Sequence, residues 1–137
     1  MAATLRLDIV TPEKQAYSDD VELVVLPGAV GEMGVYPGHM PLMTQILPGE
    51  LVVTKGGQRL HLAVGEGFVE ITQTRVAVLT DMAIEESHID ESAAEAAVKR
   101  AQEAMANKDL AGEESAAVQA ALMKSLAQLH VKRRRKG

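Results

Sequence analysis

The chain has 137 residues, a formal net charge of −5 and no cysteine; 47% of its residues are apolar, 24% are charged, and only Tyr17, Tyr36 and Phe68 are aromatic. That length suits one domain, or a small domain with an appendage, with roughly two-thirds of the unfolded surface open to burial. The composition is globular rather than disordered, no apolar run approaches the roughly 20 residues of a spanning helix, no signal peptide is expected, and the missing thiols exclude disulfides, thiolate metal sites and cysteine nucleophiles.

The averages hide a division near Ser87. Residues 1–86 hold all five prolines and every aromatic, and carry 5 Lys/Arg against 12 Asp/Glu, a net of −7. Residues 87–137 carry 9 against 7, a net of +2, and five of those nine form the run Lys132 to Lys136. Two physically different domains, 1–86 and 87–137, are therefore expected.

The first is read as β. Leu5, Leu7 and Ile9 alternate with Arg6 and Asp8, the period-two pattern of a half-buried strand. Val21, Leu23 and Val25 repeat it, and Leu26-Pro27-Gly28 carries the chemistry of a stop. From Gly31 to Thr44, glycines and prolines punctuate a stretch read as a rigid loop, a poor design for a plain strand but suited to a contact surface. Leu51 to Thr54 and Gln58 to Val64 flank Gly56-Gly57, a pair that allows the positive φ of a tight hairpin. Two more strands follow, Gly67 to Thr72 and Arg75 to Thr80, turning at Gln73-Thr74. Strands spaced at about ten residues point to an antiparallel sandwich or barrel rather than alternating β and α units.

The second is read as two helices. Asp90 suits an N-cap, with Ile89 before it as a staple toward Ala94, and strong helix formers continue to about Ala106. Asn107-Lys108-Asp109 and Gly112 are read as the break. Val118, Leu122, Leu126 and Leu129 then make one apolar stripe, faced by the small residues Ala93, Ala97, Val98, Ala101 and Ala104. A short connection favours an antiparallel hairpin. An alanine seam buries little apolar area, so the pair depends on docking. The pattern fits either a hairpin that simply packs on the β domain or an arm that a partner can release.

Catalytic constellations are scarce. His39, His61, His88 and His130 are scattered, and adjacent carboxylates such as Asp19-Asp20 point different ways on regular structure. No phosphate loop, dinucleotide fingerprint or nucleophile elbow occurs. A non-catalytic module is expected. The basic run at 132–136 suits nucleic acid, the helix macrodipole, or an acidic patch on a protein. No aromatic stacking platform accompanies it.

The stretch Gly31-Glu32-Met33-Gly34-Val35-Tyr36-Pro37-Gly38-His39-Met40-Pro41-Leu42-Met43-Thr44 closely resembles the GELG-I-YPGH-x-PL-T signature of the epsilon subunit family of bacterial F-type ATP synthases. The likeness is collinear: LeuArgLeuAspIleValThrPro at the start, Pro48-Gly49, Gly65-Glu66-Gly67-Phe68-Val69-Glu70, Val76 to Ala83, and Ile89-Asp90 before an Ala-rich hairpin. The resemblance implies an N-terminal β-sandwich of about ten strands and a C-terminal two-helix hairpin. It implies a central-stalk subunit that makes no bond itself, turns with gamma and the c-ring, and inhibits ATP hydrolysis when its arm extends into the alpha–beta head.

By position, Glu32, Tyr36, Pro37, His39, Met40 and Pro41 would meet the c-ring and gamma, while Lys124, Lys132, Arg133, Arg134 and Arg135 would meet acidic segments of the beta subunits. Some relatives bind ATP through Ile/Leu-Asp-x-x-Arg-Ala; here Asp90 is present but Ala93 stands at the arginine position, so Asp90 is at most a weak nucleotide-site candidate and no cofactor or metal is expected. Membrane association would come only through the complex, at the cytoplasmic face of a bacterial plasma membrane or at a thylakoid, with no nucleic acid bound. The alternative is a stand-alone binding module whose tail engages nucleic acid or an acidic protein.

Overall fold

The computed structural model describes residues 3–106 and 112–134. Among them ten strands come first: β1 (Leu5–Val10), β2 (Gln15–Val21), β3 (Leu23–Gly28), β4 (Gly31–Val35), β5 (Leu42–Ile46), β6 (Gly49–Lys55), β7 (Gln58–Val64), β8 (Gly67–Ile71), β9 (Arg75–Thr80) and β10 (Ala83–Glu85). A 3-10 turn, Glu86–His88, leads into helices α1 (Glu91–Met105) and α2 (Gly112–Arg134).

The strands run in the order β10-β7-β6-β3-β5-β8-β9-β1-β2, with β4 also on β3. Pairing is antiparallel except between β1 and β9, where Leu7 faces Val76 in parallel. The expected sandwich followed by a helical hairpin is thus the observed fold, with that one parallel seam bringing the first strand back beside the ninth. Alternate side chains point inward: Leu5, Leu7 and Ile9, Leu51 and Val53, Val69 and Ile71, Val76 and Val78 join one buried cluster. Each such side chain contributes about 1.5–3 kcal/mol through loss of apolar surface from water.

Several local readings change. Val21 is buried, but the inward residues of β3 are Val24 and Leu26 rather than Leu23 and Val25. Glu22 stands between β2 and β3, and that odd residue shifts the alternation by one. Its backbone N–H donates to the Thr54 carbonyl at 2.9 Å and its carboxylate accepts from Gly56 N–H at 2.6 Å, which pins the corner.

Pro27 and Gly28 do not stop the strand; β3 continues through both, paired to Glu32 and Gly31 of β4. Pairing with β6 ends at Val25, so the N–H missing from Pro27 breaks no ladder bond to β6. The stretch from Gly31 to Thr44 is not a loop throughout, since β4 and the start of β5 bracket a six-residue connection. The polar edge strand β2 carries no hydrophobic alternation through its middle, since half-buried Tyr17 has only Ala16 and Ser18 beside it. Gly56 and Gly57 adopt φ of 59° and 78° between β6 and β7, as the hairpin demands.

In the hairpin, the Asp90 carboxylate accepts from Ala93 N–H at 3.0 Å, the expected N-cap. Ile89 packs with Ala63 and Val131. The expected break at 107–109 lies outside the described residues, and Gly112 is the first residue of α2 rather than part of the break. On α1, Ala94 rather than Ala93 is buried with Ala101. On α2 the single apolar stripe fails: Leu129 is buried, Val118 and Leu122 are half-buried, and Leu126 is 40% exposed. Instead Ser125, Ala127 and Val131 are buried as well. The cause is tertiary, because α2 packs against α1 and also against β6 and β7, so two sides of one helix are covered.

Candidate functional site

The signature residues sit at two ends of β4. Tyr36, Pro37, Gly38, His39, Met40 and Pro41 form the connection to β5, with Tyr36 and Met40 largely exposed. Gly38 has a φ of 88°, which a side chain at that position would strain, and its N–H donates to the Gln73 carbonyl at 2.8 Å. The connection is thereby tied to the β8–β9 turn, and His39 Nδ1 lies 2.7 Å from the Met40 carbonyl oxygen. Glu32 is exposed near the other end of β4, about 13 Å away along the strand. It lines a cleft with Pro48, Glu50, Leu126, His130 and Arg134. The structure therefore brings five of the six residues assigned to one interface together and sets Glu32 apart, beside the end of α2.

A surface that sequence reasoning missed lies on β5, β8, β9 and β1. Phe68 pairs across to Gln45 and Leu79, Met43 to Glu70, and Leu79 in turn to Val10. Because Val69 and Val78 face the core, these neighbours face out. Met43 is 67%, Phe68 58% and Leu79 57% exposed, and all three line a shallow apolar cleft with Val10 and Ala77. Large apolar side chains gathered on one sheet face are the signature of a docking surface. The available signal was the wrong-phase Phe68 and Leu79 in otherwise regular strands.

Asp8 marks the rim of this face. The Ser18 hydroxyl donates to it at 2.6 Å, and this bond is the chief influence holding its carboxyl below the usual range. Burial opposes the shift, while Arg75 Nε at 3.0 Å and the Arg6 charge reinforce it.

The opposite outer face, on β6 and β7, is covered by α2. Ala63, Ile89 and Val131 form a small apolar cluster there, with Met82 and Ile84 against it. The basic residues assigned to a partner are engaged within the chain. Lys124 Nζ lies 3.6 Å from the Asp81 carboxylate, and Lys132 Nζ donates to the Glu86 carbonyl at 3.3 Å. Arg133 pairs with Glu91 at 3.1 Å and with Glu95, both on α1; Arg134 pairs with Glu50 on β6. Arg135 lies outside the described residues. The Gln128 side-chain amide donates to the Met82 sulfur at 3.3 Å. Among the described residues, no group of three or more His, Asp or Glu could hold a metal, and no helix is long and apolar enough to cross a membrane.

Residues 4–86 match the β-sandwich domain of ATP synthase delta/epsilon chains, and residues 87–133 match the long α-helix domain of the same chains. The chain is 45% identical over 108 residues to the ATP synthase epsilon chain of Desulforamulus reducens, covering 79% of this chain and 82% of that one. It is 41% identical over 134 residues to the ATP synthase epsilon chain of Dehalococcoides mccartyi, covering 98% and 96% of the two. In fold it is similar to a chain of the Euglena gracilis mitochondrial ATP synthase structure comprising OSCP, F1 and c-ring, with a TM-score of 0.77 over 93% of this chain and 80% of that one at 22% identity.

Proposed function

The chain belongs to the ATP synthase delta/epsilon chain family, and from that premise we propose how its two parts divide the work of such a subunit. It is a non-catalytic epsilon-type subunit of the central stalk; the chemistry belongs to the complex. The β domain, residues 1–86, is its fixed part, and it docks on gamma and the c-ring. The hairpin, residues 87–137, is its regulatory arm, which inhibits ATP hydrolysis when extended toward the beta subunits.

The observation that carries this reading is the unequal treatment of the sandwich's two outer faces. Among the described residues, the face bearing Met43, Phe68 and Leu79 lies bare, while the face on β6 and β7 is covered by the chain's own helix. A bare apolar face next to the signature connection suits a permanent stalk contact with gamma, and the Tyr36 to Pro41 connection suits the c-ring edge. Its proline-held shape lowers the ordering cost of docking. Covering by small residues and ion pairs suits an element that leaves.

The basic residues Lys124, Lys132, Arg133, Arg134 and Arg135 serve the beta subunits in the extended state. Asp90 is a cap, and with alanine at position 93 the arm is read as free of bound nucleotide. The subunit reaches the membrane through the complex, at the cytoplasmic face. Co-purification with the membrane-bound complex is the expected outcome, and recovery of the chain only as a free protein would favour a stand-alone module.

Reconstitution of the complex with the full chain and with a chain lacking residues 88–137 tests the division. Assembly is expected in both, with ATP hydrolysis rising several-fold on truncation. Unchanged hydrolysis rejects the regulatory arm, and lost assembly rejects the separation of roles.

A further inference from the structure

We propose that Glu50 is the latch that holds the arm on the sandwich, and that Arg134 is the residue it holds. The proposal rests on the reading of the hairpin as a movable arm. Glu50 lies on β6 between the strand's first residue, Gly49, and the inward Leu51, so its side chain points to the face that α2 covers. The side chain is 7% exposed. A charge so covered is costly unless paired on its accessible sides. Here His61 Nδ1, from β7, lies 3.0 Å from one oxygen and orients the group, while the Arg134 guanidinium bonds the other. His61 is diagonal to Glu50 in the β6–β7 ladder, so this part of the pair belongs to the sandwich and stays when the arm departs. The Arg134 part does not.

Neighbouring residues of the basic run have separate tasks because each step along a helix turns the side chain by about 100°. Arg133 reaches Glu91 and Glu95 on α1, so it clamps the two helices to each other and travels with them. Arg134, one step on, crosses from arm to sandwich. Ala127 and Val131 precede it at i−7 and i−3 on the buried side of α2. Val131 packs there with Ala63 and Ile89, with Met82 and Ile84 against them, and the Glu50–Arg134 pair adds a directed, charge-dependent hold at the end of this side. Lys124 and Asp81 also span the boundary, but at 3.6 Å with both side chains more than a third exposed, a geometry of little consequence.

Arg134 cannot serve Glu50 and an acidic segment of another subunit at once. The docked state therefore sequesters a cation that the extended state uses. Neutralising Glu50 releases the arm with its basic end intact, and inhibition strengthens. Neutralising Arg134 releases the arm and weakens its grip on the head together.

The chain has no cysteine, so spin labels attach only at introduced sites. Labels at Arg59→Cys on β7 and Glu103→Cys on α1, both exposed, report the sandwich–arm distance in the full chain. Glu50→Gln, which keeps the side-chain shape, is expected to raise the long-distance population about tenfold. Arg134→Gln, at an exposed position, is expected to do the same. The double variant should exceed neither, whereas Arg133→Gln should add independently to Glu50→Gln. In the reconstituted complex, Glu50→Gln should hydrolyse ATP several-fold more slowly. A long-distance population unmoved by Glu50→Gln, or effects of Glu50→Gln and Arg134→Gln that multiply, overturns the latch. If truncation at residue 88 leaves hydrolysis unchanged, the regulatory reading fails, and the distance measurement still decides the latch.

Discussion

The two outer faces of this sandwich are built from the same period-two strands and end in opposite conditions. On β6 and β7 the outward residues include Ala63, His61 and Glu50, and the chain's own α2 lies over them. On β5, β8 and β9 they are Met43, Phe68 and Leu79, and nothing within the described residues lies over them. The covered face has the smaller side chains and the ion pair; the bare face has the large apolar anchors. Apolar burial scales with area at about 25 cal/mol per Å², so the bare face can bind a partner more tightly than the covered face binds α2. The difference teaches which joint is built to last. On the proposed reading, a releasable arm is held by a small apolar cluster and charge-dependent contacts, while a torque-bearing stalk contact is given exposed bulky residues.

The largest break in this contrast is expected on the bare face. Phe68→Asp should weaken binding to gamma by about 100-fold, near the 2–4 kcal/mol of a central anchor, as read by titration calorimetry. Thermal unfolding of the subunit alone should shift little, because the side chain is already in water. Binding unchanged by this variant would move the stalk contact elsewhere.

A smaller effect is expected on the covered side. Leu129 is the one buried leucine of α2, and Leu129→Ala should loosen the hairpin by about 1–2 kcal/mol, below the usual range for a full core because it borders an open cleft beside His130 and Arg133. Amide exchange should then speed about tenfold or more across α1 and α2 while β8 and β9 stay protected. Equal acceleration in the strands would mean that arm and sandwich unfold as one unit.

The smallest effect is at the rim, where Asp8 joins β1 to β2 and β9. Its carboxyl is held below the ordinary range, so its contribution is fully present above the unfolded carboxylate pKa and is lost as pH falls through the lower folded value. Asp8→Asn should cost about 1 kcal/mol near neutrality, and the difference from the unaltered chain should shrink as pH falls below about 4. Melting curves across that window check the sign. A gap that widens toward acid pH contradicts the assignment.

Much of this was legible in the chain itself. The Leu5-Leu7-Ile9 alternation, the glycine pair at 56–57 and the Asp90 cap each rest on contacts within a few residues, so local sequence suffices to state them. The 14 residues from Gly31 carried the family, although part of that stretch is strand rather than loop. The Val21-Leu23-Val25 pattern misled because a corner residue, Glu22, resets the phase. The leucine stripe of α2 misled because a helix with neighbours on two sides buries its small residues too.

By itself, then, the sequence determined two segments of opposite composition, most of their element types and the family, since these follow from composition, periodicity and a contiguous motif. Tertiary structure alone decided which sheet face is bare, why Glu32 stands apart from Tyr36, and which partner each of Lys132, Arg133 and Arg134 takes. Those outcomes depend on strands far apart in the chain becoming neighbours, as β1 does with β9, and on the angle at which one helix lies on a sheet. No window of consecutive residues contains that information.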